Sequence, residues 1–238
     1  MIETFTALLL AHVLADFVLQ SGHMAANKRQ LPLLAAHGGI VFLTSVVTTG
    51  TLHPALAALA LLHIVIDHTK ARWGRGGAGD FMLDQTAHLA TLLATAGLFP
   101  QLWASGVWSG LPQSVPLMAL LAGAIVATRA GGFAVGLLMA PWAAAVTLGG
   151  LPGGGRTIGH LERGLIFLMV LGGLPEGIGF LIAAKSVLRF GTVREEAQLS
   201  EYVIIGTLAS VGWALLSAYA TLTLLAGLAP LGIPDVTP

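Results

Sequence analysis

Read for the spacing of apolar and polar positions, the chain resolves into long apolar runs with no two-residue alternation, cut at intervals by glycine and proline. Eight runs stand out, at about 2–20, 31–50, 52–70, 81–99, 114–139, 158–174, 175–190 and 200–229. Their punctuation includes Gly22, Pro32, His53 with Pro54, Gly74 to Gly79, Pro100, Pro112, Pro152 to Gly155, Pro175 and Gly191. Most approach 20 residues, the length that carries a helix across the hydrocarbon core of a bilayer. Backbone polar groups in lipid must be satisfied internally, and without alternation a barrel is excluded. The pattern predicts an all-α fold: a polytopic transmembrane helical bundle of about eight spans, one integral membrane domain over 1–238. Its halves are 1–100 and 114–238. The stretch 130–155 admits two readings, as the end of a long fifth span with a surface segment or as a further crossing.

Composition agrees. Eleven Lys/Arg and eleven Asp/Glu make 9% of 238 residues, where a soluble domain carries roughly 25%, and the mean hydropathy is +0.85. A net charge of zero gives no bulk attraction for nucleic acid, and no cysteine is present for disulfides, thiolate metal sites or thiol catalysis. Glu3 stands where a secretory leader would carry a basic residue, and His12 and Asp16 interrupt the apolar run, so 2–20 reads as a span.

The basic residues orient the spans. Lys28 and Arg29 follow the first, Lys70, Arg72 and Arg75 the third, and Arg189 and Arg194 the seventh. The positive-inside rule places these loops in the cytoplasm and both termini outside it, in a cell inner membrane.

That topology brings seven ionisable residues to one depth on four helices: His12, Asp16, His37, His63, Asp67, Asp84 and His88. His12/Asp16, His63/Asp67 and Asp84/His88 are each four residues apart. Four helical steps return to nearly the same face, so three helices each present an imidazole with a carboxylate. Neutral nitrogens and anionic oxygens on rigid supports suit a divalent metal such as Zn, Mn or Fe, as one ion or two. Asp16, Asp67 and Asp84 are the candidates for a catalytic carboxylate. A buried network that only fixes packing would use the same residues at several kcal/mol per charge on insertion; a proton relay would use them too. Gln20, Lys70 and Gln85, with Lys28, sit where they can meet an anionic head group; Lys28 and Lys70 are equally ordinary positive-inside anchors. His23, His53, His68 and His160 fall in loops or at span ends and read as solvated.

A second group follows: Glu162 and Arg163 open the sixth span, Lys185 and Arg189 close the seventh, and Glu201 and Tyr202 open the eighth. Singly these are helix-end charges. Together they can form an ion-pair network, or Arg163, Lys185 and Arg189 can bind a phosphate. No phosphate loop, G-x-S-x-G or H-E-x-x-H is present. Haem ligation by histidine pairs would leave the aspartates at the fourth position unexplained.

The run His12-Val-Leu-Ala-Asp16-Phe17-Val-Leu-Gln20, with His37, His63-Ile-Val-Ile-Asp67, Lys70 and Asp84-Gln85-Thr-Ala-His88, resembles a bacterial membrane family catalogued as domain of unknown function 3307. The similarity continues in Ile158-Gly-His-Leu-Glu162-Arg163, in the run from Ile178 to Phe190, and in that from Glu201 to Ser210, over nearly the whole chain. It implies a bacterial inner-membrane protein and lends no activity. One departure is the uncharged stretch Pro141 to Gly155, where such proteins carry charge.

These readings converge on a membrane-embedded metal-dependent enzyme, a hydrolase acting on a lipid-like or anionic amphiphilic substrate at the cytoplasmic leaflet. The alternatives are a divalent-cation or proton-coupled transporter using the same cluster, and a structural or partner-binding membrane protein. Membrane lipid is the expected partner, with homo-oligomers open and no nucleic acid.

Overall fold

The computed structural model describes residues 1–146, 151–193 and 197–230, with side chains throughout except 188–193. The described residues form ten α-helices: α1 (Ile2–Leu14), α2 (Gly22–Ala26), α3 (Leu31–Thr49), α4 (Pro54–Trp73), α5 (Ala78–Leu98), α6 (Ser114–Ile125), α7 (Gly131–Met139), α8 (Gly154–Leu171), α9 (Glu176–Val193) and α10 (Ala197–Ala226). A π-helical turn, Ala15–Leu19, prolongs α1; a second, Val126–Ala130, joins α6 to α7; a 3-10 segment, Ala140–Ala145, ends α7. No strand occurs among the described residues. The fold class is all-α.

Local chemistry sets the boundaries. Pro32 and Pro54 sit in the first turns of α3 and α4, where the missing N–H costs nothing. His53, expected to be solvated, caps α4 by accepting from the Ala55 N–H at 3.2 Å. Gly50 ends α3 with φ +69°, and a Cβ there would lie 2.6 Å from the Trp108 ring. That ring donates its indole N–H to the Val47 carbonyl, so glycine both closes the helix and seats the following loop.

The eight expected runs correspond to helices, but among the described residues four helical stretches are long and apolar enough to cross a membrane: Ile2–Leu19, Leu31–Thr49, Ser114–Ala145 and Ala197–Ala226. The expectation of eight spans is thus corrected to four by length and composition. The reason lies in α4, α5, α8 and α9, whose apolar runs are diluted by Asp67, Lys70 and Arg72, by Asp80 and Asp84, by Arg156, Glu162 and Arg163, and by Glu176 and Lys185. The stretch read in two ways continues helical from Ser114 as far as Ala145; 147–150 lie outside the described residues.

The contacts divide the chain into two compact units, Met1–Ile125 with Thr223–Pro238, and Val126–Leu222. In the first, α1 packs against α3, α5 and α6, while α3 on α4 and α4 on α5 complete a ring. Its core includes Leu8, Leu56, Leu59, Leu92 and Leu102. In the second unit, α8 packs against α7, α9 and the turn Val126–Ala130.

Candidate metal centre

The ring of helices explains how residues far apart in sequence come to share one point. Leu8, Val41, Leu59 and Leu92 are all buried, and each lies four residues from a histidine: His12, His37, His63 and His88. One helical turn therefore separates an apolar layer from a polar layer on all four helices. The apolar layer anchors the rotation of each helix, and the histidines follow from it.

Within the polar layer the tightest group is Asp16, His37 and His63. The Nε2 atoms of His37 and His63 lie 3.1 Å apart, and Asp16 Oδ1 is 3.2 and 3.3 Å from them. Asp67 Oδ2 lies 3.5 Å from both nitrogens. Five edges of this four-atom figure thus fall between 3.1 and 3.5 Å. Ligand atoms bound tetrahedrally at zinc-like lengths would be separated by about 3.3 Å. These buried groups can hold a metal ion.

The remaining groups adjoin this one. Asp67 turns its other oxygen towards His88 Nε2 at 3.7 Å, and Asp84 Oδ1 is 3.5 Å from the same nitrogen. His12, His63 and His88 form a further set with ligand atoms within 4.8 Å of one another, as do Asp67, Asp84 and His88. The His63 and His88 rings stack at 4.0 Å. Gln85 ties the set together: its amide nitrogen donates to Asp84 Oδ2 at 3.1 Å and Asp16 Oδ2 at 3.4 Å. Its oxygen thus faces His12 Nε2 at 3.2 Å, which places the proton there and leaves His12 Nδ1 as a lone pair. His12 Nδ1, Asp16 Oδ1, Asp84 Oδ1 and both nitrogens of His88 are buried with no hydrogen-bond partner among the described residues. Buried polar atoms of this kind are uncommon, and the lone pairs among them, at most one on a neutral His88 ring, are available to a cation.

Two ammonium groups close the other end. Lys28 Nζ donates to both oxygens of Asp67, at 2.7 and 2.8 Å, and Lys70 Nζ to Asp84 Oδ2 at 2.8 Å. Their side chains are 15% and 33% exposed, whereas Asp67 is fully buried, so the centre opens towards the lysines. With neutral imidazoles, three carboxylates against two ammonium groups leave one formal negative charge.

All seven residues expected to share a depth therefore meet. Asp16 does so from the π-helical turn, where the extra residue swings the chain off the regular α1 face; such turns frequently mark functional sites. Lys70 and Gln85 are engaged within the cluster instead of lying free at a rim. Gln20 ends the π-helical turn, half-buried, with its amide nitrogen unpartnered among the described residues. His68 makes none of these contacts. Sequence reasoning left Lys28 between two roles and did not pair it with Asp67. No spacing rule links positions 39 apart, and the only available signal was a lysine one short loop from the first histidine pair.

In the second unit Lys185 Nζ donates to Glu162 Oε2 at 2.7 Å. Arg163 donates to Ser210 Oγ at 3.1 Å and to the Thr128 carbonyl at 3.0 Å. Glu201 is exposed and Tyr202 half-buried at the start of α10. The side chains of Arg189 and Arg194 lie outside the described residues.

Comparison with known proteins yields one family. Residues 4–108 match the family described as Protein of unknown function (DUF3307). The runs 158–163, 178–190 and 201–210, which also resemble that family, fall outside the matched residues. No curated protein and no solved structure matches the chain. The matched segment 4–108 carries all seven residues of the His/Asp cluster together with Lys28, Lys70 and Gln85.

Proposed function

We propose that the first unit is a membrane-embedded, metal-dependent hydrolase centre acting on a lipid-like or anionic amphiphilic ester, amide or phosphate. The observation that carries this reading is the convergence of Asp16 Oδ1, His37 Nε2 and His63 Nε2 within 3.1–3.3 Å. Three nitrogen and oxygen ligands with a side left for water are the arrangement of catalytic, as opposed to closed structural, zinc sites. Asp67 Oδ2 stands at the fourth vertex, so water takes that position only where Asp67, held by Lys28, yields it. The charge balance favours one ion over two: a single divalent cation takes the cluster from −1 to +1, whereas two would leave +3 in a buried layer. Zn²⁺ suits four-coordination; Mn²⁺ and Fe²⁺, which take more ligands, would draw on Asp67 and water.

The chemistry then follows from the neighbours. A metal held by Asp16, His37 and His63 would supply activated water for attack on an acyl carbon or phosphorus. Asp84 and His88 are placed to take that water's proton and return it to the leaving oxygen or nitrogen. Lys28 and Lys70, on the more exposed side, receive the substrate's anionic group. Membrane placement draws support from the four apolar helices and from outward leucines and valines on the others, among them Leu61 and Val65 on α4 and Leu83 and Leu93 on α5. Exposed apolar side chains of this density suit lipid contact.

A second reading, a divalent-cation or proton-coupled transporter, is favoured by one observation. Lys28 holds both oxygens of Asp67, so a tethered ammonium can exchange with an entering cation at the same carboxylate. Elemental analysis of protein purified without chelators tests the metal. One divalent ion per chain is expected, lost in Asp16→Ala and His63→Ala; protein that stays metal-free after loading with Zn²⁺, Mn²⁺ and Fe²⁺ overturns the hydrolase and the divalent-cation transporter. Metal-dependent release of product from short-chain lipid esters, amides or phosphates supports the hydrolase. Metal uptake into proteoliposomes that disappears in Asp67→Ala, without any hydrolysis, assigns the transporter.

A further inference from the structure

The second unit contains a mainly apolar cavity, with a few polar side chains in its wall, that the metal reading does not use. It measures about 720 Å³ and is lined by residues of α7, α8, α9 and α10. Arg163 stands at its wall, 3% exposed, with two hydrogen bonds to neutral acceptors, Ser210 Oγ and the Thr128 carbonyl. Its Nε is buried with no hydrogen-bond partner among the described residues. Among the described residues no carboxylate lies within ion-pair distance of it, because Glu162, its neighbour in sequence, is taken by Lys185. A guanidinium offers five N–H donors, and beyond the bonds to Ser210 and Thr128 each Nη keeps one N–H for a ligand.

Unpaired buried charge is costly, and proteins ordinarily neutralise it. Here the surroundings make room for the guanidinium instead. A Cβ on Gly131 would lie 2.9 Å from Arg163 Cδ, one on Gly159 3.0 Å from Nη1, and one on Gly132 3.3 Å from Nη2. Three glycines on two helices therefore shape the slot that holds the cation at the cavity. Thr207, Ser210 and Tyr202 line the same space with hydroxyl groups, and Lys185 stands at its edge. Val135 and Met139 give it an apolar wall.

We infer that this cavity is an anion-binding site, separate from the metal centre, that takes a phosphate group through Arg163. Donors spread over a guanidinium and several hydroxyls match the oxygens of a tetrahedral anion better than a planar carboxylate. The apolar wall accommodates a chain attached to the phosphate, so the source is either free phosphate or the head group of a lipid. Lys185, already neutralised by Glu162, is a secondary contact; Arg163 carries the charge. The inference does not rest on the metal reading, because no residue of that centre lines the cavity.

The test is equilibrium binding by calorimetry on the full chain in nanodiscs of zwitterionic lipid, after chelator treatment so that metal plays no part. The probes are inorganic phosphate, dioctanoyl phosphatidic acid, dioctanoylglycerol and octanoate. Saturable binding of phosphatidic acid, weaker or absent for phosphate and absent for dioctanoylglycerol, supports a lipid phosphate. Equal binding of phosphate and phosphatidic acid supports the free anion. Arg163→Gln is expected to weaken either by about tenfold or more. Gly136→Leu projects into open space at the cavity and narrows it, so it decides the matter if Arg163→Gln does not fold. The inference is overturned if neither phosphate probe binds, if octanoate binds more tightly than both, or if Gly136→Leu leaves phosphatidic acid binding unchanged.

Discussion

The two units bury their charges in opposite ways. In the first, three carboxylates face four histidines and two lysines, and two of the carboxylates pair with an ammonium group. In the second, Arg163 is buried against neutral oxygens and carries its charge alone among the described residues. Both centres lie beside a π-helical turn. Ala15–Leu19 presents Asp16, and Val126–Ala130 turns the Thr128 and Val126 carbonyls to Arg163 and Trp213. An inserted residue in a helix frees or redirects polar groups that a regular helix would consume. The contrast teaches that similar backbone devices serve a self-compensated cluster, suited to exchanging a cation, and an uncompensated cation, suited to receiving an anion.

The largest effect that would sharpen this contrast is metal removal. A ligand bound only by the folded state, at a thousand times its dissociation constant, stabilises by about 4 kcal/mol. Stripping the ion should lower unfolding stability of the reconstituted chain by that order, and His63→Ala should abolish the difference between stripped and loaded protein. Equal stability of wild-type protein with and without metal would break the comparison at its first term.

Next in size is the pair at Asp67. Replacing it with alanine strands Lys28, and losing one member of a buried pair costs about 3–5 kcal/mol. Lys28 is partly exposed, so the lower end, about 3 kcal/mol, is expected in denaturant titrations. The double variant Asp67→Ala with Lys28→Met should recover part of that loss, as a double-mutant cycle would reveal. A double variant no more stable than the single one would mean that the ammonium is not held by the carboxylate.

Arg163→Met should cost less, about 1–3 kcal/mol, because it removes hydrogen bonds to Ser210 and Thr128 yet also removes an uncompensated buried charge. A cost above that of Asp67→Ala would invert the contrast between the units. Smallest is Glu162→Gln. The Glu162–Lys185 pair is short but partly solvated, so under about 1 kcal/mol is expected. The same change should strengthen phosphate binding by freeing Lys185, measurable by calorimetry.

Much was legible from residue order. Long non-alternating apolar runs specify helices, because only intrahelical hydrogen bonds satisfy so apolar a chain, and their starts fall within a few residues of the observed helices. Three His/Asp pairs at the fourth position define three helix faces, since 3.6 residues per turn leaves no other reading. That much is local geometry, and local geometry is written in spacing.

Other features needed the folded chain. Hydropathy counted eight runs, but four helices fall short of spanning quality because they carry the charged residues of the two centres. The meeting of Asp16, His37 and His63 at one point depends on the rotation of α1, α3 and α4, set by the apolar layer one turn away, and on the π-helical turn that displaces Asp16. Lys28 reaches Asp67 across 39 residues, and Glu162 chooses Lys185 and leaves Arg163 alone. Such choices are made by competition among long-range contacts. Spacing reports what one helix presents; which partner it meets is settled only when the helices pack.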